Sequence, residues 1–344
     1  MLSHTAECAD AFDRIAALID AAQTIAICAH VNPDGDALGS GLALTQVIEA
    51  HWDGKEVVNL LAEDDVVPRI YQFLPGADRF VRSCAYDGCP DLFISVDLSI
   101  PSRLGDGEAV LNRSKKCAIL DHHPCDDPVA DAYLIRPDAA AAGVIITEFA
   151  QHLGVEVTAD MAQNLYCAIA TDTGRFQYQN ADSEAFEVAS FLVGCGASPS
   201  EVSLYVYQSF RLAFLHLESA VMGRITTFER GRIAYSYATQ ADLQRTGASL
   251  DESDGLVDVV RSVEGSEVAL FLKEVPGGKV RGNLRSKTGR DISGVARALG
   301  GGGHRAASGF TIDGGIDDAL SAALPLLHAL FVEEEQSVDG RDAS

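Results

Sequence analysis

The chain has 344 residues, long enough for two domains of ordinary size, and 47% of them are apolar, ample for packed cores. Its 50 acidic residues against 26 basic leave a formal net charge of −24, which argues against a broad surface for duplex nucleic acid. No apolar run reaches the roughly 18 residues of a membrane span, the first residues carry Glu7 and Asp10 in place of a basic leader, and the eight cysteines are scattered like reduced core thiols, so a cytoplasmic home is expected.

Residues 11–19 pattern as an amphipathic helix. The apolar run 24–29 predicts a buried strand, and His30-Val31-Asn32-Pro33-Asp34-Gly35-Asp36 leads from it into a helix reaching about Ala50. Pro33 and Gly35 demand a turn there. Residues 57–61 predict a second strand and 64–73 a short helix-like piece. Residues 91–97 predict another buried strand ending in Asp97, and 117–120 run directly into Asp121-His122-His123. This strand–helix alternation predicts an α/β fold, a doubly wound parallel sheet whose ligands bind beyond the C-terminal ends of the strands. Any single acid at such an end is explained as a helix cap or turn former. Three Asp/His clusters at three matching ends point to metal ligation.

Helices are expected over 139–153 and 159–170, the second ending in Thr171-Asp172-Thr173-Gly174-Arg175-Phe176. Asp172 there reads equally as a turn residue before Gly174 or as a further ligand. A helix over 183–194 stops at Gly194 and Gly196. Ser198 and Glu201 have capping-box spacing for the next one.

From about residue 220 the pattern changes. Strands are expected over 224–228, 233–237, 267–275 and 279–285, with Pro276-Gly277-Gly278 as a hairpin turn, and helices over 293–299 and 316–331. The domains expected are therefore a metal-binding domain over 1–190, a helical connector over 191–215, a smaller α/β domain over 216–332 and a disordered acidic tail over 333–344. Lys273, Lys279, Arg281, Arg285, Lys287, Arg290, Arg297 and Arg305 concentrate positive charge in the second domain, opposed within that window by Glu274 and Asp291 alone. The window runs into Gly300-Gly301-Gly302-Gly303-His304. Glycine backbone approaches a phosphate closely and offers N–H groups, although a bare glycine run also serves as a plain loop.

The set His30-x-x-x-Asp34-x-Asp36, Asp97, Asp121-His122-His123 and Asp172 resembles the DHH phosphoesterases. The ending Gly300-Gly301-Gly302-Gly303-His304-Arg305-Ala306-Ala307-Ser308-Gly309 resembles their DHHA1 domain, and the combination resembles the NrnA-like group of bifunctional oligoribonucleases and phosphatases of 3′-phosphoadenosine 5′-phosphate (pAp). The resemblance implies two divalent cations, manganese or magnesium. One would be held by His30, Asp34 and Asp97, the other by Asp36, Asp97, His122 and Asp172, with Asp97 bridging. It implies His123 beside the scissile phosphate, and Asp121 as the residue that orients its neighbour. Arg281, Asn283, Arg285, Ser286, Gly301, Gly302, Gly303 and His304 would grip the nucleotide, in a cleft between the two domains. Short single-stranded RNA and pAp are the implied substrates, with no duplex and no membrane partner; a homodimer is compatible. Asn283, where the group often has serine, and Gly143, near which it has a hydroxyl residue, depart from the pattern. The rival readings are cleavage of linear dinucleotides from cyclic-dinucleotide breakdown, a manganese inorganic pyrophosphatase, and a noncatalytic nucleotide sensor.

Overall fold

Six short segments, β1 (Thr24–Cys28), β2 (Glu56–Leu61), β3 (Val81–Arg82), β4 (Leu92–Val96), β5 (Lys116–Asp121) and β6 (Ala132–Ile135), form one sheet in the order β3-β2-β1-β4-β5-β6. Every pairing in it is parallel. The computed structural model describes residues 6–339, with side chains from 8 to 332. The chain divides into two units, residues 1–209 and 210–344.

In a sheet of this order the direction of winding reverses between β1 and β4, and the crevice beyond their C-terminal ends is where ligands bind. Both strands are buried almost throughout, as a parallel sheet covered on both faces requires. Helix α1 (Ala6–Ala21) turns Phe12, Ile15 and Ile19 inward at helical spacing. Helix α2 (Gly35–His51) has an apolar, small-residue composition and is buried on nearly every face. A short α3 (Gly107–Arg113) precedes β5. Helices α4 (Ala142–His152), α5 (Ala159–Asp172) and α6 (Ser183–Gly194) complete the core with Ile145, Phe149, Leu165 and Val188. Asp34, Thr158 and Asp182 cap α2, α5 and α6 by accepting backbone N–H groups.

The helix-like piece expected over 64–73 is corrected to a single 3₁₀ turn, Arg69–Tyr71. The strands β3 and β6 were not anticipated. Ser198 accepts from the Glu201 N–H at the start of α7 (Pro199–Val202), which runs into one π-helical turn, Ser203–Tyr207. Val202 and Val206 pack on Leu38, Leu42 and Tyr71, so this stretch belongs to the first unit.

The second unit is a mixed sheet, β7 (Thr226–Phe228), β8 (Ile233–Ala238), β9 (Val268–Val275), β10 (Lys279–Ser286), β11 (Gly302–Gly303) and β12 (Ala307–Asp313), in the order β11-β12-β10-β9-β8-β7. Its β8–β9 pair is parallel and the other pairs are antiparallel. Along β9 the two-residue period sends Val268, Leu270 and Leu272 to one face and Ala269 and Phe271 to the other. The first face packs under α11 (Ser293–Ala298) and α12 (Ile316–Asp339), the second under α8 (Leu212–Met222) and α10 (Leu256–Arg261). Helix α9 (Gln240–Thr246) opens with a full capping box between Thr239 and Asp242. Gly277 and Gly278, both with positive φ, make the expected hairpin turn. The tail expected over 333–344 falls on residues whose side chains, and from 340 whose backbone, lie outside the described ones. Among the described residues no helix is long and apolar enough to cross a membrane.

Candidate metal centre

The ends of β1, β4 and β5 and the loops after them deliver His30, Asp97 and Asp121-His122-His123 to one edge of the parallel sheet, at its switch point. Helix α2 adds Asp34 as its N-cap and Asp36 from its first turn, and α5 adds Asp172 as its last residue. Ligand atoms of His30, Asp34 and Asp97 converge within 4.8 Å of one another, as do those of Asp36, His122 and Asp172, and those of Asp97, His122 and His123.

Asp97 lies between the histidines. Its Oδ2 is 3.3 Å from His30 Nε2, and its Oδ1 is 3.3 Å from His122 Nε2 and 3.4 Å from His123 Nδ1. Its backbone is left-handed, with φ 58°. That conformation is uncommon outside glycine, asparagine and aspartate. The imidazoles are oriented from behind. His30 Nδ1 lies 2.8 Å from Val31 O and His122 Nδ1 lies 3.1 Å from Ala139 O. A carbonyl only accepts, so each Nδ1 carries the proton it donates and each Nε2 is turned to the carboxylates.

Asp36 is fully buried. It accepts from Ala142 N–H at 2.7 Å and Gly143 N–H at 2.9 Å, both in the first turn of α4. It also accepts from Ser40 Oγ at 2.8 Å, one turn along its own helix. Asp121 Oδ1 accepts from the backbone N–H of His123 at 3.0 Å and holds its Nδ1 at 2.8 Å, so Asp121 fixes that ring. Gly143 has no space for a side chain: a Cβ there would stand 2.7 Å from Ala168 Cβ.

Five carboxylates thus gather with three imidazoles; Asp36, Asp97 and Asp121 are buried, while Asp34 and Asp172 are partly exposed. Burial, then the Asp97 charge, pushes Asp36 up to about 7, and His122 opposes the shift. Burial likewise pushes Asp172 up to about 8, against the pull of His122 and with Asp36, Asp34 and Asp97 adding to it. Burial disfavours charge on His30 and His122, but the Asp97 carboxylate overrides it and raises them to about 9 and about 11. Asp97 itself is held well below the usual carboxylate range, because His122 and His30 outweigh its burial. Among the described residues, the buried Oδ1 of Asp97 and Oδ2 of Asp121 accept no hydrogen bond; the His122 and His123 nitrogens near Asp97 Oδ1 are ion-pair contacts. An excess of buried carboxylate, an unsatisfied oxygen at its centre and imidazoles aimed by their far nitrogens fit hard divalent cations of the manganese or magnesium type. The His30–Asp34–Asp97 and Asp36–His122–Asp172 groups, joined by a third group of Asp97, His122 and His123, make this a two-cation centre.

In the second unit, Arg281, Asn283 and Arg285 line one face of β10 and are half-buried. Ser286 lies on the opposite, buried face of the strand, and its Oγ has no hydrogen-bond partner among the described residues. Asn283 is level with Gly309, which is level with Gly302 on β11, so the glycine run lies in the same sheet two strands away. A Cβ at Gly301 would stand 2.0 Å from Gly309 O, and one at Gly303 2.6 Å from Ala307 O, so these two glycines are required by the close approach of the strands. Gly302 is exposed and meets nothing within 4 Å. His304 N–H donates to Ala307 O at 2.8 Å.

The basic window is less unopposed than its sequence neighbourhood implies. Lys273 pairs with Asp254, Arg290 with Glu267 at 2.9 Å and Lys279 with Asp313 at 3.6 Å. Lys287 and Arg305 donate to backbone carbonyls of Val263 and Gly289. Arg285 makes a hydrogen bond to its neighbour Leu284 O at 3.0 Å.

The model of the DHH family N-terminal domain matches residues 24–169, and that of the DHHA1 domain matches residues 231–333. The bifunctional oligoribonuclease and PAP phosphatase NrnA of Thermus thermophilus is 31% identical over 305 residues, 87% of this chain and 88% of that protein. The protein of the same description from Bacillus subtilis is 29% identical over 292 residues, 84% of this chain and 89% of its own. The crystal structure of an exopolyphosphatase-related protein from Bacteroides fragilis shares the fold, with a TM-score of 0.87 at 21% identity over 98% of this chain and 99% of that one. A parallel sheet carrying a two-cation centre, a DHHA1 domain after it and a relative matched over nearly its whole length together establish that the chain belongs to the NrnA family of DHH–DHHA1 proteins.

Proposed function

We propose that this protein is a manganese-dependent phosphoesterase that hydrolyses short oligoribonucleotides to mononucleotides and removes the 3′-phosphate of pAp. The observation that carries this reading is the convergence of His30, Asp34, Asp36, Asp97, His122 and Asp172 at the switch point of the parallel sheet. In the proposed assignment His30, Asp34 and Asp97 hold one cation, Asp36, Asp97, His122 and Asp172 hold the other, and Asp97 is shared. Two bound divalent cations supply a nucleophile at neutral pH and relieve charge at phosphorus.

The remaining work falls to the chain's own groups. Asp97 offsets the positive charge gathered between His30 and His122. His123, its ring fixed by Asp121, is placed to hold a proton for the leaving oxygen. Arg281 and Arg285, on one face of β10, suit bidentate capture of a terminal phosphate, with Asn283 between them. Gly302, exposed and uncrowded, offers its backbone N–H to an anion, with His304 beside it. A site that captures a terminal phosphate favours short chains.

The test is a panel of di- to pentaribonucleotides, pAp, a linear guanosine dinucleotide and pyrophosphate, incubated with manganese and followed by product chromatography. Mononucleotides from RNA and adenosine monophosphate from pAp are expected, abolished by a chelator. Release from pyrophosphate alone would assign the site to a pyrophosphatase, and no turnover with metal bound would leave a nucleotide sensor.

A further inference from the structure

Asp172 is the last residue of α5, where the helix carboxyl end already concentrates partial negative charge. It also faces Asp36 across His122, whose Nε2 is 3.7 Å from a carboxylate oxygen of each. Nothing in α5 itself favours a carboxylate there. The support comes from Asn180, eight residues on.

The chain reaches Asn180 by a costly route. Gly174, Arg175 and Phe176 follow one another in the left-handed region, with φ 55°, 64° and 60°. A non-glycine residue in that region costs about 1–3 kcal/mol, and a bulky one such as Phe176 is rare there. The reversal is held by Thr173, whose Oγ1 donates to Ile169 O at 2.6 Å and accepts from Phe176 N–H at 3.1 Å. Its carbonyl accepts from Gln177 and Tyr178, each at 3.0 Å. The product of this strained turn is the return of Asn180 to the end of α5.

There the Asn180 Nδ2 group stands 2.9 Å from Ala140 O, 3.2 Å from Asp172 O and 3.4 Å from Asp172 Oδ2. All three neighbours are acceptors, so the atom facing them must be the amide nitrogen, and only a donor suits the position. Ala140 lies in the stretch that also orients His122, through Ala139 O, and holds Asp36, through the Ala142 and Gly143 N–H groups. One short segment of backbone, 139–143, is therefore linked to all three residues of the Asp36–His122–Asp172 group, and Asn180 is the link to Asp172.

We propose that Asn180 is a positioning residue that sets the affinity of the Asp36–His122–Asp172 group for its cation, by tying the Asp172 carboxylate to the 139–143 segment. The inference rests on the two-cation reading above. Removing the partner of a metal-ligating side chain typically weakens metal binding about 10–100-fold.

The test uses the full chain stripped of metal and titrated with manganese, with free manganese followed by electron paramagnetic resonance. The wild type is expected to bind two ions. Asn180→Asp keeps the shape of the side chain but sets a carboxylate against three oxygens. It is expected to weaken one site at least tenfold and leave the other within twofold. Asp172→Asn should weaken the same site, and the double variant should lose little more than Asp172→Asn alone. Asn180→Asp binding both ions as the wild type does, or weakening both equally, would overturn the assignment. Fewer than two ions on the wild type would instead overturn the two-cation reading. If Asn180→Asp does not fold, Asn180→Ser, a smaller side chain that still donates, is titrated against Asn180→Ala. Retention by serine and loss by alanine supports the role, and equal behaviour overturns it.

Discussion

Helices α2 and α5 approach so closely that a hydrogen atom is all that fits between them at Gly39. A Cβ there would stand 2.4 Å from Asn164 O, a backbone atom of α5, whereas ordinary contact begins at 3.4 Å. Gly39→Ala must therefore push the helices apart by about 1 Å, an overpacking that costs about 1–3 kcal/mol. Gly41, two residues along, is the matched control. Its Cβ would meet only side chains, Asn59 Oδ1 at 3.3 Å and Ile27 Cγ2 at 3.8 Å. Both positions lie inside the same helix at ordinary φ, so both alanines gain the same roughly 1 kcal/mol of helix propensity, and the difference between the variants isolates the clash. The sole tryptophan, Trp52, caps the C-terminus of α2, so its fluorescence during urea unfolding reports this unit alone. Gly41→Ala is expected to be as stable as the wild type or slightly more so, and Gly39→Ala less stable than Gly41→Ala by about 1–3 kcal/mol. The same separation moves Asp36, three residues before Gly39, away from Asp172, so Gly39→Ala should also bind manganese more weakly. Equal stabilities for the two alanines would refute the idea that this helix contact sets the site.

Asp97→Asn removes the charge shared by both cation groups, and turnover should fall at least about a hundredfold while the melting temperature of the metal-free protein shows the fold intact; near-normal activity would remove Asp97 from the centre. Arg285→Ala should raise KM for pAp by about tenfold or more, in line with the loss of a charged hydrogen bond, with little change in kcat, and an unchanged KM would end its assignment as the phosphate clamp. In the second unit, Arg224 and Arg245 both pair with buried Asp242, at 2.8 and 2.6 Å, and the Arg224 bond, outweighing burial, holds that carboxyl well below the usual carboxylate range. A depressed carboxylate stabilises fully above its unfolded value, about 3.9, and loses that contribution as pH falls toward its folded value. Asp242→Asn should therefore cost about 2 kcal/mol near neutral pH by calorimetry, and its deficit relative to the wild type should shrink between pH 5 and pH 3; a deficit independent of pH would contradict this account of the pair.

His30, Asp97 and His122 were legible in sequence because each follows a strongly apolar strand, whereas Asp172, at the end of helix α5, read equally as a turn residue. His30 lies two residues past Thr24–Cys28, Asp97 directly follows Leu92–Val96, and Lys116–Asp121 runs straight into His122. The two-residue strand β3 and the four-residue β6 were not legible, since so few residues show no period. Strand β12 was hidden by its small residues, Ala307, Ser308 and Gly309, which pair with β10 by backbone alone. The 64–73 stretch patterned as helix, yet only Arg69–Tyr71 forms a 3₁₀ turn. The basic window looked unopposed because Asp254, Glu267 and Asp313 lie outside it or at its far side in sequence. Gly301 and Gly303 looked like phosphate contacts, but crowding by Gly309 and Ala307 accounts for them without a ligand. Ser40 had a readable signal, standing four residues after Asp36 on one helix. Asn180 had none, since its three acceptors come together only through a left-handed turn.

The central claim is that these side chains hold two cations. Diffraction from manganese-soaked crystals, recorded at the manganese absorption edge, tests it most directly. Two anomalous peaks are predicted, one among His30, Asp34 and Asp97 and the other among Asp36, His122 and Asp172. A single peak, or peaks away from these residues, would contradict it.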